Sequence, residues 1–374
     1  MRVVIVGVGG VGTMAAWRLA RTGNEVIALE QFQLDHDQGS SYGDSRIVRR
    51  VYSDPFYTRL MADSYRLWGE LISEAQDSGL FVQTGGVLWG PADDPRLQSA
   101  ENALASSGVP YELLDATEAS RRFPAVRLQS HEVAVYEPGM GFARASRSVR
   151  AAAGLARSQG VLIRENSRVV AVDSAHGGVR VTLSSGERVT AERLIVAAGA
   201  WTKPLLQSLG LNLPLAVTRQ PYLHLQPARH DADFEPGRFP VWIDIAANAY
   251  GFPRLGDLPG VKLGIHDVGD TVTPEAVIRT VQEADREAAR RYAASRFPDL
   301  GPEVVYEKVC LYTNTPDEDF IVDTVPGLPS VLVLSPCSGH GFKFAPLIGQ
   351  IAADWARDLS IPYDLSRFRL ARFA

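Results

Sequence analysis

The stretch RVVIVGVGGVGTMAAWRLARTGNEVIALE, Arg2 to Glu30, decides the fold. Val3, Val4, Ile5 and Val6 form an uninterrupted β-branched run, as expected of a strand buried on both faces of a parallel sheet. Gly7, Gly9 and Gly12 follow as G-x-G-x-x-G, then Met14 to Arg21 reads as a helix and Val26 to Glu30 as a second strand. In that context Gly7 permits the tight turn, Gly9 lets the backbone approach a pyrophosphate, and Gly12 allows close packing of helix on strand. Glu30, ending the second strand, suits a ribose hydroxyl. The motif predicts a dinucleotide site and leaves NAD and FAD equally open.

The 374 residues suit two domains. A composition of 45% hydrophobic and 22% charged residues is that of a globular protein. The net charge of −5 argues against a nucleic-acid partner, which would call for a basic surface. No secretory pattern opens the chain and no apolar run approaches the roughly 20 residues that span a bilayer, so the expectation is a cytoplasmic protein without a membrane partner. Cys310 and Cys337 are the two cysteines; they make neither a disulfide scaffold nor a metal-ligand spacing.

Further along, Phe56 to Leu71 carries apolar residues at helical spacing and reads as core, as Arg144 to Arg157 reads as a helix. Val161 to Arg164 and Arg168 to Asp173 read as short strands, and Val179 to Leu183 with Arg188 to Thr190 as a hairpin about Ser184 to Glu187. Leu194 to Ala198 is another buried strand, and its end at Gly199-Ala200-Trp201 lets a backbone approach a ligand. Val217 to Ile265 has the composition of an antiparallel sheet. Thr273 as N-cap and Pro274 at the first helical position predict a long helix running to about Arg296. Ser330 to Ser335 is a strand, and Ser338 to Phe344, SGHGFKF, opens a second glycine-rich helix N-terminus able to face an anionic group.

Taken in order, the glycine motif, GDSRIVR at 43–49, Gly251-Phe252-Pro253, Lys262-Leu263-Gly264, Cys310 with the Tyr-Thr and Pro-Asp-Glu that follow, and Ser338 to Phe344 span the whole chain. Together they resemble the monomeric sarcosine oxidase and N-methyltryptophan oxidase family, of the D-amino-acid-oxidase-like flavoproteins. The resemblance implies FAD, bound covalently through Cys310. It implies a substrate carboxylate held by Arg49 and Lys343, dioxygen activation at Lys262, and a pocket lined by Tyr250, His266 and Tyr312. Cofactor contacts are expected from Gly7, Gly9, Gly12, Glu30, Ser41, Arg46, Val169, Ala198, Gly199, Trp201, Gly339, His340, Gly341 and Lys343. Physical chemistry agrees on the carboxylate, which on leaving water requires charge-assisted donors such as an arginine fork and a lysine. Lys262 is flanked by Val261 and Leu263, which in a strand face the other way. Cys337 reads as packing, and Arg50 as a solvated basic residue.

The implied chemistry is oxidation of a small secondary amine, an N-methyl or cyclic amino acid, to an imine that water hydrolyses, with reduction of dioxygen to hydrogen peroxide by a monomeric enzyme. Two other classes stay open: a flavin oxidase of a carbinol C–H bond in a sugar or glycoside, and a nicotinamide-dependent dehydrogenase. The chain departs from the family where two histidines commonly precede Gly-Asp, having Ser41 and Tyr42, and has Arg50 where a histidine is usual; all three are expected to border the flavin. Trp242 is a residue able to reshape the pocket. The expected fold is α/β with an α+β second domain: a discontinuous Rossmann-type flavin domain (1–84, 145–216, 320–374) and an inserted, mostly antiparallel substrate domain (85–144, 217–319). No metal is expected.

Overall fold

A computed structural model of the chain describes residues 1–266 and 269–373. The β-branched run becomes β1 (Arg2–Val6), the glycine turn leads into α1 (Gly10–Leu19), and β2 (Glu25–Leu29) follows. β1 pairs in parallel with β2 on one side and with the strand Arg193–Val196 on the other. Leu162–Arg164 continues the sheet beyond β2, and Leu328–Ser335 continues it beyond Arg193–Val196, both in parallel; Ile321–Val325 closes it as an antiparallel edge. The burial of β1 on both faces follows from side-chain alternation. Val3 and Ile5 enter a core with α1 and the helices Ala145–Ser158 and Ala345–Ala356. Val4 and Val6 enter another, with the three-stranded sheet Val169–Ala175, Gly178–Leu183 and Arg188–Ala191.

The second large sheet has eight strands and is antiparallel except where Val241–Asp244 runs parallel to Gly86–Pro91. Its longest ladder joins Ala216–Pro227 to Leu300–Asn314. A small sheet of β3 (Arg46–Val48), Gly141–Ala143 and Phe81–Gln83 stands apart from both. The architecture is thus mixed α/β, with one largely parallel and one largely antiparallel sheet.

Three expected boundaries move. α1 begins at Gly10 rather than Met14 and ends at Leu19, followed by a 3-10 turn over Ala20–Thr22. The long helix from Thr273 is shorter: it spans Glu283–Arg296, with Gln282 as N-cap in a reciprocal capping box with Asp285. Residues 271–280 are instead held along the sheet by tertiary contacts that outweigh the Thr-Pro start signal. Val272 N–H donates to the Val217 carbonyl, and the Arg219 guanidinium takes the carbonyls of Ile278 and Thr280. The glycine-rich C-terminal motif does not itself open a helix: Ser338 and Gly339 both have left-handed φ, a 3-10 turn covers Phe342–Phe344, and the α-helix starts at Ala345. The amphipathic reading of Phe56 to Leu71 lies within α2 (Pro55–Ala75), whose Leu60, Met61, Leu67, Trp68 and Leu71 are core.

Candidate active site

Gly7 takes a φ of +93°, open to glycine at little cost, and a Cβ there would meet the Ala197 carbonyl. At Gly12 a Cβ would lie 1.8 Å from the Gly7 carbonyl oxygen, so this glycine seats α1 against the turn. The N-terminus of α1 carries no side-chain cap and no acidic residue in its first turn, leaving its dipole to an outside anion. Gly10 N–H is taken by Ser41 Oγ at 2.9 Å. Glu30 is buried and kept below the usual carboxylate range: burial opposes this, but His36 and the Val8 and Phe32 N–H groups outweigh it. It is therefore a charged acceptor at the end of β2, where a ribose would lie.

These groups wall a cavity of about 290 Å³. Gly7, Gly9, Glu30, Ser41, Arg46, Val169, Ala198, Gly199, Trp201, Gly339 and Gly341 all line it. A second cavity, of about 590 Å³, is lined by Arg49, Tyr250, Lys262, His266, Cys310, His340 and Lys343, with apolar residues including Leu88, Ile243 and Phe252. Arg46, Tyr312, Gly339 and Phe342 line both, so the two cavities share a wall. His340 and Lys343, expected among the cofactor contacts, lie on the second cavity, while Gly341 between them lies on the first. At Gly339 a Cβ would lie 2.6 Å from both the His266 and Tyr312 rings.

The second cavity is rich in positive charge. Lys343 is 4% exposed; its Nζ donates to Tyr52 Oη at 3.0 Å and the His340 carbonyl at 2.7 Å, both neutral acceptors. Burial, and then the Arg49 charge, push its pKa well below the ordinary lysine value. Arg49 donates from Nη1 to the Val51 carbonyl, lies 4.2 Å over the Tyr52 ring, and has a buried Nε without a partner. Lys262 is 3% exposed, with Nζ 3.0 Å from Ser45 Oγ and 4.1 Å over the Tyr222 ring. Its neighbours Val261 and Leu263 enter the core beneath. Burial and then Arg46 lower the Lys262 pKa to about 7. Arg46 Nη2 is 3.7 Å from Cys310 Sγ, a free and buried thiol. Among the described residues no carboxylate forms an ion pair with Arg46, Arg49, Lys262 or Lys343. Cationic groups left without counter-ions on one cavity wall favour an anion there, and an anion bound there would favour the charged form of both lysines.

The neutral groups are set by burial. His266 is pushed below its ordinary value by burial, then by Arg49 and Lys343, and its ring is 5.0 Å from that of Tyr312. Burial raises the pKa of both the Tyr250 and the Tyr312 hydroxyl. Among groups without assigned roles in the sequence, Tyr52, Ser45 and Tyr222 contact the cavity cations directly. Tyr52 lies three residues from Arg49, but its contact with Lys343, and those of Ser45 and Tyr222 with Lys262, arise only through the tertiary fold.

Several expectations are corrected. Of Ser41, Tyr42 and Arg50, only Ser41 lines either cavity. Arg50 is not a solvated basic residue: it pairs at 2.9 Å with Glu137, whose side chain is fully buried, and lies over the Tyr65 ring. Trp242 lines neither cavity but stacks between Trp89 and Tyr292 in the core. Cys337 is in the hydrophobic core, as its packing reading requires, and also reaches the first cavity wall.

A model of the "FAD dependent oxidoreductase" family matches residues 2–355. The chain is 34% identical to a monomeric sarcosine oxidase of Streptomyces avermitilis, over 100% of this chain and 97% of that one. It is 32% identical to an N-methyl-L-tryptophan oxidase of Escherichia coli, over 99% and 98%. The solved structure of NikD, described as an unusual amino acid oxidase essential for nikkomycin biosynthesis, superposes with a TM-score of 0.86 at 26% identity, over 98% of this chain and 96% of that one. With a dinucleotide cradle at its start and the family's match running through nearly all of its length, the chain belongs to the FAD-dependent oxidoreductases.

Proposed function

We propose that the protein is an FAD-dependent oxidase of a small secondary amine bearing a carboxylate, an N-methyl or cyclic amino acid, which it converts to an imine with reduction of dioxygen to hydrogen peroxide. The observation that carries the proposal is that half-buried Arg49 and buried Lys343, neither in an ion pair with a carboxylate among the described residues, line a cavity that shares a wall with the dinucleotide cavity. The printed activities of the relatives, on sarcosine and N-methyl-L-tryptophan, agree with it.

The residues fit FAD: the start of α1, without an acidic residue in its first turn, would receive a pyrophosphate, ionised Glu30 would receive a ribose, and the strand stretch Cys310 to Thr313 runs along both cavities. When bound, FAD supplies the two-electron acceptor. Arg49 and Lys343 hold the substrate carboxylate and so fix which C–H bonds face the shared wall. The Arg46 and Arg49 guanidiniums on the cavity wall disfavour a further positive charge, so the substrate nitrogen binds as the neutral amine, whose lone pair is needed to expel hydride. Neutral His266 accepts or donates a hydrogen bond without adding charge. Lys262 supplies positive charge for the anionic oxygen species that dioxygen reduction generates. We further propose that Cys310 carries the flavin covalently, that the enzyme works as a monomer, and that 1–84, 145–216 and 320–374 form the flavin body around an inserted substrate body of 85–144 and 217–319.

The test is the visible spectrum of the purified protein before and after acid precipitation, with peroxide measured on sarcosine and on bulkier N-methyl and cyclic amino acids. Peroxide from any of these amines supports the chemistry, and yellow colour that stays in the pellet and is lost from it in Cys310→Ala supports the covalent bond. Colour released to the supernatant removes Cys310 from that role. Inactivity on every amino acid, with peroxide from a sugar carbinol, overturns the amine reading.

A further inference from the structure

We propose that Tyr52 is a positioning residue for the substrate carboxylate, joining Arg49 and Lys343 into one receptor; this rests on the amino-acid oxidase reading above. Tyr52 is buried on the wall of the second cavity and touches both cations. The Arg49 guanidinium lies 4.2 Å over its ring, and its hydroxyl oxygen accepts from Lys343 Nζ at 3.0 Å. The direction of the remaining hydrogen bond follows from its far end. His340 Nε2 is 3.1 Å from the Glu318 carbonyl, which can only accept, so Nε2 carries the hydrogen and Nδ1 is bare. Tyr52 Oη, 3.3 Å from Nδ1, therefore gives its one hydrogen to His340 and turns a lone pair toward Lys343.

The consequence is a chain with a fixed sense, from Lys343 through Tyr52 and His340 to the backbone of Glu318. Burial raises the Tyr52 hydroxyl pKa, and burial followed by Lys343 drives that of His340 well below its ordinary value, so the relay stays neutral and protonated as drawn. A phenol serves here where a carboxylate would not. An acid in its place would neutralise Lys343 and compete with the substrate, whereas the phenol aims the ammonium without cancelling it. The ring's quadrupole attracts Arg49 on the same terms. Tyr57 stacks on Tyr52 with centroids 5.3 Å apart and donates its own hydroxyl to Asp319, so the ring is held from behind.

The titratable and charged groups around Lys343 are Arg49, Tyr52, Tyr57, His266, His340 and Glu318. Of these, Tyr52 is the side chain that accepts a hydrogen bond from Lys343 Nζ. Removing its hydroxyl withdraws support from the charged amine, so Lys343 loses its proton at lower pH and carboxylate binding falls away earlier as pH rises.

The experiment compares wild-type holoenzyme with Tyr52→Phe. Acetate binding is measured by calorimetry across pH, and anaerobic flavin reduction by the amine substrate is measured in parallel. The expected result is acetate binding weakened about tenfold, a pH midpoint moved down by about one unit, a substrate KM raised similarly and a limiting reduction rate within about threefold of wild type. In a Lys343→Met background the same change is expected to add little, since the hydroxyl acts through that lysine. Unchanged acetate affinity and pH midpoint, or full additivity with Lys343→Met, overturns the proposal. If Tyr52→Phe does not fold, His340→Phe strips the hydroxyl of its acceptor; a smaller loss in the same direction supports the proposal and no change overturns it. Wild-type enzyme that fails to bind acetate overturns the carboxylate receptor and this proposal together, whereas binding indifferent to Tyr52→Phe overturns this one alone.

Discussion

The two cavities are walled by different kinds of group. The first is shaped by backbone: a left-handed glycine, a helix start without a cap, a strand end too small to block approach, with Glu30 as its buried charged side chain at the β2 end. The second is shaped by side chains, with buried cations drawn from separate elements and held by neutral oxygens and aromatic faces. A backbone site depends on where the chain can go; a charged site depends on which counter-ions are withheld. The first kind is intolerant of added atoms and the second of added or removed charge.

The sharpest way to break the contrast is at Gly12. Alanine there puts a methyl against the Gly7 carbonyl, and the overpacking is expected to cost about 3 kcal/mol and to empty the enzyme of flavin, read as the ratio of visible to ultraviolet absorbance and as a lowered melting temperature. If Gly12→Ala retains full flavin, the first cavity is more plastic than its geometry allows. Next in size is Lys343→Met, expected to keep flavin while kcat/KM for the amino acid falls by about a hundredfold, the loss of a charged hydrogen bond. A parallel loss of flavin would show that the cavities are not separable in function.

Lys262 sharpens the comparison within the second cavity. Its pKa near 7 means that it is charged below that pH and neutral above. The rate at which reduced enzyme reacts with dioxygen is therefore expected to fall as pH rises through 7 or, beside an anionic neighbour, somewhat higher. Lys262→Met should lower that rate by roughly a hundredfold at low pH and abolish the pH dependence, with reduction by the amine little changed. Stopped-flow reoxidation measures both. The smallest effect is expected at Trp242→Phe, about 1 kcal/mol of stability by chemical denaturation with kinetics unchanged, because the ring packs on Trp89 and Tyr292 and reaches neither cavity.

The backbone-made region is the one legible along the sequence. Val3 to Glu30 carries strand, turn, helix, strand and terminal acid within thirty consecutive residues, each shaped by local rules. The cations of the second cavity come from positions 46, 49, 262 and 343 and carry no spacing of their own; their grouping was readable through family likeness rather than from residue pattern. Tyr52 illustrates what escapes both routes, since its contact with Lys343 spans 291 positions. The displaced helix start at Thr273 has a related cause. The local signal was sound, but Arg219 claims the carbonyls of Ile278 and Thr280. The partners that hold Arg50 and Trp242, Glu137 and the stacked Trp89, lie far from them in sequence.

The meeting of Gly10 with Phe342, whose ring would lie 2.7 Å from a Cβ on that glycine, has a consequence for biosynthesis. β1 waits for Arg193–Val196 on one side, that strand waits for Leu328–Ser335, and the cavity wall is complete only once Phe342 has been added. Contacts of such sequence separation form late and slowly. A chain halted before that point holds the glycine turn but lacks the Phe342 ring, and with it the finished wall that the two cavities share.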